Sequence, residues 1–280
     1  MQILITGSKG QLGAVLASAL SQHELYPADL PEIDVTNRDE IFNAIQSCRP
    51  DIVIHCAAYT DVDGCARDPE LAYRVNSMGT QNVALACREV AAAMVHISTN
   101  EVFSGENTQG YEEWMPLSPR NPYGVSKAAA EHHVCALLDR YYIVRTAWLF
   151  APGGRNFIHS ILTLARDTGE IRVVADEIGN PTYGPDLAEA IGRLIETGQY
   201  GIYHFVNRGA TSRWAFANEI LHLTGLTETV NIPILNATFR RTSSPPPFSA
   251  LHNRNGDALG ISFRPWQEAL ADYLQNDLSQ

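Results

Sequence analysis

A doubly wound parallel α/β sheet with a smaller C-terminal lobe is the fold this sequence predicts, on three observations. Short apolar runs alternate with amphipathic helical stretches from the second residue onward. Those runs are almost continuous in Ile, Val and Leu, as strands buried on both faces require. A loop containing three glycines joins the first run to the first helical stretch.

Taken in order, Gln2 to Thr6 is a strand, and a helix follows from about Gln11 to Leu20. Glu24 to Ala28 is a weaker strand. Asp51 to His55 and Ala93 to Ile97 are the third and fourth, separated by a long Ala-rich helix over roughly Pro69 to Ala91. A helix begins near Tyr123, and Tyr141 to Arg145 is the fifth strand. Such βαβ repetition calls for right-handed crossovers and a parallel sheet. Beyond Phe150 the pattern loosens: helices over Phe157 to Asp167, Pro185 to Glu196, Arg213 to Leu223 and Pro265 to Leu274, and a strand over Tyr200 to Phe205. Arg240 to Phe248, with Pro245-Pro246-Pro247, reads as loop or extended chain. The organisation expected is a nucleotide-binding domain over 1–150 that also recruits about 184–223. A small lobe over 151–183 and 224–280 completes it.

The 280 residues are 45% hydrophobic and 18% charged, enough for a sizeable core. Acidic residues outnumber basic ones 31 to 20, for a net charge of -11. That balance argues against nucleic acid or an anionic membrane as partner. The longest apolar stretch, around Val83 to Ile97, is interrupted by Arg88, Glu89 and His96. No basic, cleavable leader pattern precedes the first strand. Five scattered cysteines form no CxxC pair and read as buried thiols, and the adjacent His132 and His133 read as surface residues rather than metal ligands. These features predict a cytoplasmic protein. The 20 basic residues are eighteen Arg and two Lys, Lys9 and Lys127.

Lys9 lies in the glycine loop Gly7-Ser8-Lys9-Gly10-Gln11-Leu12-Gly13. Between a strand and a helix, Gly7 permits the tight turn, Gly10 lets backbone approach a pyrophosphate, and Gly13 allows close helix–strand packing. The helix start offers free N–H groups and the positive end of its dipole to phosphate. This is the pattern of a Rossmann-like dinucleotide site. Asp29 stands at the end of the second strand, where a carboxylate accepts a hydrogen bond from a ribose 2′-hydroxyl. Lys9 pulls the other way, towards a 2′-phosphate. Both NADPH and NADH therefore stay open as the cofactor.

Lys127 completes Tyr123-Gly124-Val125-Ser126-Lys127 at a helix start. Residues four apart share a helix face, so the ammonium can approach both the phenol and a cofactor ribose. A neighbouring cation should lower the phenol's pKa towards working pH, fitting Tyr123 to exchange a proton. The fourth strand ends in Ser98-Thr99-Asn100-Glu101-Val102-Phe103, at the edge where such sheets bind ligands. The Thr99 hydroxyl can donate to a carbonyl oxygen becoming an alkoxide.

Together Gly7/Gly10/Gly13, Thr99 and Tyr123/Lys127 resemble an extended short-chain dehydrogenase/reductase. Longer stretches narrow the resemblance to the dTDP-4-dehydrorhamnose reductase family. They are Cys56 to Asp63, Val75-Asn76, Arg145-Thr146-Ala147-Trp148, Gly179-Asn180-Pro181-Thr182, Ser249-Ala250-Leu251, Leu259-Gly260-Ile261 and Trp266 to Leu270. The likeness covers essentially the whole chain. It implies NADPH- or NADH-dependent reduction of the 4-keto group of a dTDP-6-deoxy-L-sugar, giving dTDP-L-rhamnose. Tyr123 would be the proton donor, Lys127 its tuner and ribose ligand, and Thr99 the group orienting the keto oxygen. Cys56, Ala57, Ala58 and Tyr59 would line the cofactor, with Ser98 and Asn76 beside it and Asp34 and Val35 near the adenine. Asn100, Glu101, Val102, Phe103, Trp148, Asn156, Pro181 and Thr182 would face the sugar.

Some positions depart from the family's pattern. The family commonly has Ser-Thr-Asp-Tyr-Val-Phe where this chain has Asn100 and Glu101, which leaves the identity of the sugar open. Leu30, not a basic residue, follows Asp29. Ala14-Val15-Leu16 lacks the first-helix Glu that holds a bridging metal in some members. The expected state is thus a monomer or weak homodimer without such a metal. Two rivals remain. One is another sugar-nucleotide ketoreductase or a 4,6-dehydratase, whose strand end carries Thr-Asp-Glu. The other is a non-catalytic dinucleotide-binding regulatory subunit.

Overall fold

The computed structural model describes residues 1–154 and 156–276. Strand β1 (Gln2–Thr6) leads into α1 (Gln11–Ala19), and β2 (Glu24–Ala28) into α2 (Arg38–Cys48). After β3 (Ile52–His55) come α3 (Val62–Arg67) and α4 (Pro69–Ala72); a π turn, Tyr73–Met78, joins α4 to α5 (Gly79–Val90). Strand β4 (Ala93–Thr99) passes through a 3-10 turn, Asn100–Val102, and a long loop to α6 (Pro122–Leu137) and β5 (Tyr141–Thr146). The second half holds β6 (Leu149–Phe150), α7 (Phe157–Thr168), β7 (Glu170–Val174), β8 (Ile178–Gly179), β9 (Thr182–Tyr183) and α8 (Gly184–Thr197). Then follow β10 (Gly201–His204), β11 (Thr211–Ser212), α9 (Arg213–Leu223), β12 (Val230–Ile234), α10 (Arg254–Ala258) and α11 (Trp266–Asn276).

The central sheet runs β10-β5-β4-β3-β1-β2, and every pairing in it is parallel. From β1 the chain steps outward to β2, then returns to lay β3 on the other side of β1. The crevice between the carboxyl ends of β1 and β3 is therefore the switch point at which such sheets take ligands. Pro27 is accommodated in β2 because that strand lies at the sheet's edge.

Alternation along β1 explains the layering. Ile3 and Ile5 face one side, where they pack with Leu16 of α1, Leu20 just after it, and Leu187, Ile191 and Leu194 of α8. Leu4 faces the other, against Ile41 and Ile45 of α2 and Val83 and Cys87 of α5. A separate apolar cluster joins α7, α9 and α11 through Ile158, Leu162, Phe216, Trp266 and Tyr273. Helix α9 thus packs in that cluster, while α8 and β10 join the sheet layer.

Nine of these elements lie outside the expected set: the helices α2, α3 and α10, the strands β7 and β12, and the two-residue strands β6, β8, β9 and β11. The expected helix over Pro69 to Ala91 is broken into two by the π turn, whose Asn76 turns inward. The cysteines do not all behave as buried thiols: Cys65 and Cys87 are buried, Cys48 and Cys56 half-buried, and Cys135 exposed, all five free. His132 is exposed and His133 half-buried. Among the described residues, no helix is long and apolar enough to cross a membrane, and no cluster of His, Cys, Asp or Glu is arranged to hold a metal.

One interaction locks α6 to the sheet. Glu131 of α6 and Arg145 of β5 form a two-pronged pair, with Nη2 to Oε2 at 2.8 Å and Nε to Oε1 at 3.0 Å. Both side chains are 2% exposed. Ser98 of β4 adds its hydroxyl to Glu131 Oε1 at 2.6 Å, and Arg145 Nη1 donates to the Glu113 carbonyl at 3.1 Å. Removing one member of such a pair leaves a buried charge uncompensated. Glu131→Gln should lower the unfolding free energy by about 3–5 kcal/mol in urea titration. Adding Arg145→Met should recover part of that loss.

Candidate active site

The glycine loop is shaped by contacts that no side chain could share. Gly7 has φ +67°, and a Cβ on it would sit 2.7 Å from the Ala57 nitrogen, so β1 and β3 approach there backbone to backbone. A Cβ on Gly13 would fall 2.2 Å from the Gly7 carbonyl oxygen. Gly10 caps α1 without a side-chain hydrogen bond, and the first turn of α1 carries no acid. The helix start therefore presents unsatisfied N–H groups and a positive dipole end, the chemistry a pyrophosphate needs. The loop fits a dinucleotide on these grounds.

Two adjoining clefts open at this edge. One, of about 720 Å³, is lined by Lys9, Asp29, Asp34, Val35 and Arg74, together with the run Cys56 to Tyr59. The other, of about 560 Å³, brings together Thr99, Asn100, Glu101, Tyr123, Lys127 and Trp148. Gly7, Gly10, Cys56 and Ala58 border both, while Gln11, Leu12, Gly13 and Ser98 border the second. A larger cleft of about 990 Å³ lies between α1 and α8, lined by residues such as Ala14, Val15, Ala19 and Ala188. The chemistry belongs to the smaller pair, where the glycine loop, phenol, ammonium and hydroxyl converge.

Asn121 sets the start of α6. Its Oδ1 accepts from the Gly124 N–H at 2.8 Å, and Pro122 takes a position that needs no N–H. The other end of the same amide donates from Nδ2 to Glu101 Oε2 at 2.6 Å. Helix start and strand end are thereby coupled, and Gly124 allows the approach: a Cβ there would fall 2.2 Å from the Glu101 carbonyl oxygen.

Lys127 is 2% exposed and donates from Nζ to the Ile97 carbonyl oxygen at 2.7 Å. Burial pulls its pKa down to about 8, against the opposing pull of Glu131 and Cys56. Lys127 in turn helps burial keep His55 and His96, stacked beneath the cleft, neutral. The Tyr123 phenol departs from expectation. Burial pushes it well above its ordinary value, the Glu101 carboxylate pushes the same way, and a hydrogen bond with Thr99 acts in opposition. The phenol is thus held protonated by a low-dielectric pocket and a nearby acid, rather than drawn towards phenolate by Lys127. Glu101 itself is pushed up to about 7: burial leads, the Asn121 hydrogen bond opposes, Glu177 adds, and Arg213 and Arg241 oppose.

Thr99 combines two tasks. Its hydroxyl accepts the Glu101 N–H at 3.2 Å, capping the 3-10 turn, and donates to Asn100 Oδ1 at 3.2 Å. Asn100 reaches across the fold, donating from Nδ2 to Ser249 Oγ at 2.6 Å. Trp148 adopts φ +43°, a strained conformation for a non-glycine residue, with Gly179 against its ring. Arg213, at the start of α9, stacks on this ring, its guanidinium 3.7 Å from the Trp148 ring centroid. Asn76 lies behind the cleft, accepting the Tyr59 N–H at 2.7 Å and donating to Ser126 Oγ at 3.0 Å.

Several expected sugar-facing residues stand elsewhere. Val102 and Phe103 are fully buried, and Phe103 stacks on Tyr111 at 4.2 Å, because the 3-10 turn swings them into the core. Asn156 caps α7 and donates to the Tyr273 hydroxyl at 3.1 Å. Pro181 and Thr182 are buried at β9, and Ser8 does not border either cleft. Sequence reasoning missed Arg213, Glu177 and Asn121. An Asn-Pro pair at a helix start signals the last; nothing local signals the first two, which the fold delivers from distant segments.

Glu101 yields a signed prediction. Between about pH 4.5 and 7 the folded protein keeps a proton on Glu101 that the unfolded chain releases, so this group's contribution to stability falls as pH rises. In urea titrations the stability difference between the native protein and Glu101→Gln should drift against the native protein across that window. A constant difference would remove the raised carboxyl from the account.

The model of the RmlD substrate binding domain matches residues 1–279. The spore coat polysaccharide biosynthesis protein SpsK of Bacillus subtilis (strain 168) is 37% identical over 98% of this chain and 97% of its own. The dTDP-4-dehydrorhamnose reductase of Aggregatibacter actinomycetemcomitans is 36% identical over 96% of this chain and 97% of its own. The crystal structure of the dTDP-4-dehydrorhamnose reductase of Bacillus anthracis str. Ames, in complex with NADP, superposes with a TM-score of 0.95. Its identity is 38% over 98% of both chains.

Proposed function

Because the chain belongs to the RmlD substrate binding domain family, we propose that it is a dTDP-4-dehydrorhamnose reductase. It reduces the 4-keto group of a dTDP-6-deoxy-L-sugar with NADPH or NADH. The observation that carries this reading is the convergence of Tyr123, Lys127 and Thr99 on one cleft that continues into the glycine loop. The nicotinamide, when bound, supplies the hydride that adds to C4.

The chain's own residues do the rest. As hydride arrives, the carbonyl electron pair moves to oxygen, and the Tyr123 hydroxyl gives that oxygen its proton. A phenol held above its ordinary pKa stays protonated for this step at neutral pH. Thr99, its single O–H turning from Asn100 Oδ1, donates to the developing alkoxide, and Trp148, braced by Arg213, flanks the sugar. Lys127 places positive charge on the same helix face, towards the phenolate that forms and the cofactor ribose. Gly7 to Gly13 hold the pyrophosphate, Asp34 and Val35 lie by the adenine, and Cys56 to Tyr59, Ser98 and Asn76 complete the cofactor side. Asn100 and Glu101 face the sugar. The proposed division of labour is cofactor binding by 1–150, which also recruits about 184–223, and substrate binding by 151–183 and 224–280.

We place the enzyme in the cytoplasm, as a monomer or weak homodimer without a bridging metal. Ala14-Val15-Leu16, where some family members carry a metal-holding Glu in this helix, supports the last point.

The purified protein should oxidise NADH or NADPH only when the dTDP-4-keto-6-deoxy-L-sugar is supplied, followed at the cofactor's absorbance. Tyr123→Phe should lower turnover by about 10²- to 10⁴-fold while cofactor affinity stays within about threefold. No turnover with any dTDP-4-keto sugar would turn the reading towards a binding protein, and an active Phe variant would remove the phenol as donor.

A further inference from the structure

Lys9 and Asp29 meet at the ribose end of the cofactor cleft, and their contacts resolve what their presence alone leaves open. Asp29, the residue after β2, has both carboxylate oxygens fixed by backbone: Oδ2 accepts the Lys9 N–H at 2.7 Å, and Oδ1 accepts the Leu30 N–H at 2.8 Å. The Lys9 ammonium is already engaged, donating to the Leu30 carbonyl oxygen at 2.7 Å and to Glu32 Oε2 at 2.9 Å. Leu30 itself is 58% exposed and brings no charge.

We propose that Asp29, with Lys9 neutralised by Glu32, makes this chain selective for the dinucleotide with a free 2′-hydroxyl, NADH over NADPH. The inference rests on reading this cleft as the cofactor site. A 2′-hydroxyl is a donor and suits a carboxylate whose remaining lone pairs are free. A 2′-phosphate brings nearly two negative charges and offers no donor to Asp29. Lys9 would be its natural partner, but Glu32 cancels that cation. The Lys9–Glu32 pair is exposed on both sides, 60% and 67%, so it adds little stability. Its effect is on local charge: Asp29 stays as the uncompensated group because backbone donors, not a movable side chain, hold it. Arg74 is the other cation bordering this cleft among the described residues, and it comes from the π turn after β3 rather than from the β2 end.

Calorimetric titration of the native protein with each cofactor tests this without turnover. NADH should bind at least tenfold tighter than NADPH. Glu32→Gln, an exposed change, should release Lys9 and narrow that ratio three- to tenfold. Asp29→Asn should narrow it further, and Arg74→Ala should leave it within twofold. Equal or tighter binding of NADPH by the native protein overturns the proposal. So does a ratio indifferent to Glu32→Gln, or one that moves tenfold with Arg74→Ala. Binding of neither cofactor defeats instead the reading of the cleft as a cofactor site, and with it the proposed reductase.

Discussion

A cation buried on α6 is the constraint around which the rest of the site is arranged. Lys127 is removed from water at the depth of the sheet, and burial pulls its pKa down to about 8. Two things keep it useful: the Ile97 carbonyl oxygen that receives its N–H, and Glu131 one turn further along the same helix face. Glu131 is itself buried and would be untenable without Arg145 and Ser98. A chain of charges thus runs from β5 through α6 to the cleft, each member requiring the next. It also fixes the rotation of α6, and with it the side from which Tyr123 enters.

The second constraint is steric. Gly7 and Gly13 bring β1, the loop and α1 closer than any side chain permits, and this contact places the uncapped start of α1 at the sheet's switch point. The electrostatics of the two clefts then differ. The glycine-loop end uses backbone dipoles, which cannot be titrated or displaced. The other end uses side chains shifted by burial: a phenol held up, an ammonium held down, and a carboxyl at Glu101 near neutrality. The cluster of Glu101, Glu177, Arg213 and Arg241 beside it sets two acids against two guanidinium groups, with Arg241 and Glu177 at 2.7 Å.

What could be read from sequence followed the range of the interaction. The strands β1, β3, β4 and β5 announce themselves because burial on both faces demands unbroken apolar runs. Thr99 and the Tyr123/Lys127 pair are readable because strand ends and i,i+4 spacing are local. Helix α2 escaped although Asn37 caps it and Ile41 and Ile45 share a face, since six of its other nine residues are polar. Strand β12 carries Pro233 and pairs only with β7, so its run looks like loop. Val102 and Phe103 follow Thr99 in sequence, yet the 3-10 turn sends them to the core. Arg213, Glu177 and Ser249 reach the site only through tertiary folding. The direction of the Tyr123 shift depends on surroundings that no spacing encodes.

In the proposed reaction these residues direct hydride from a nicotinamide to C4 of a nucleotide-linked keto sugar and a proton from Tyr123 to its oxygen. Turnover with cofactor fully deuterated at nicotinamide C4, followed by NMR of the product, tests it most directly. One deuterium per sugar is expected, at C4 and in one configuration. Label at another carbon, label in both configurations, or product formed without label would contradict it.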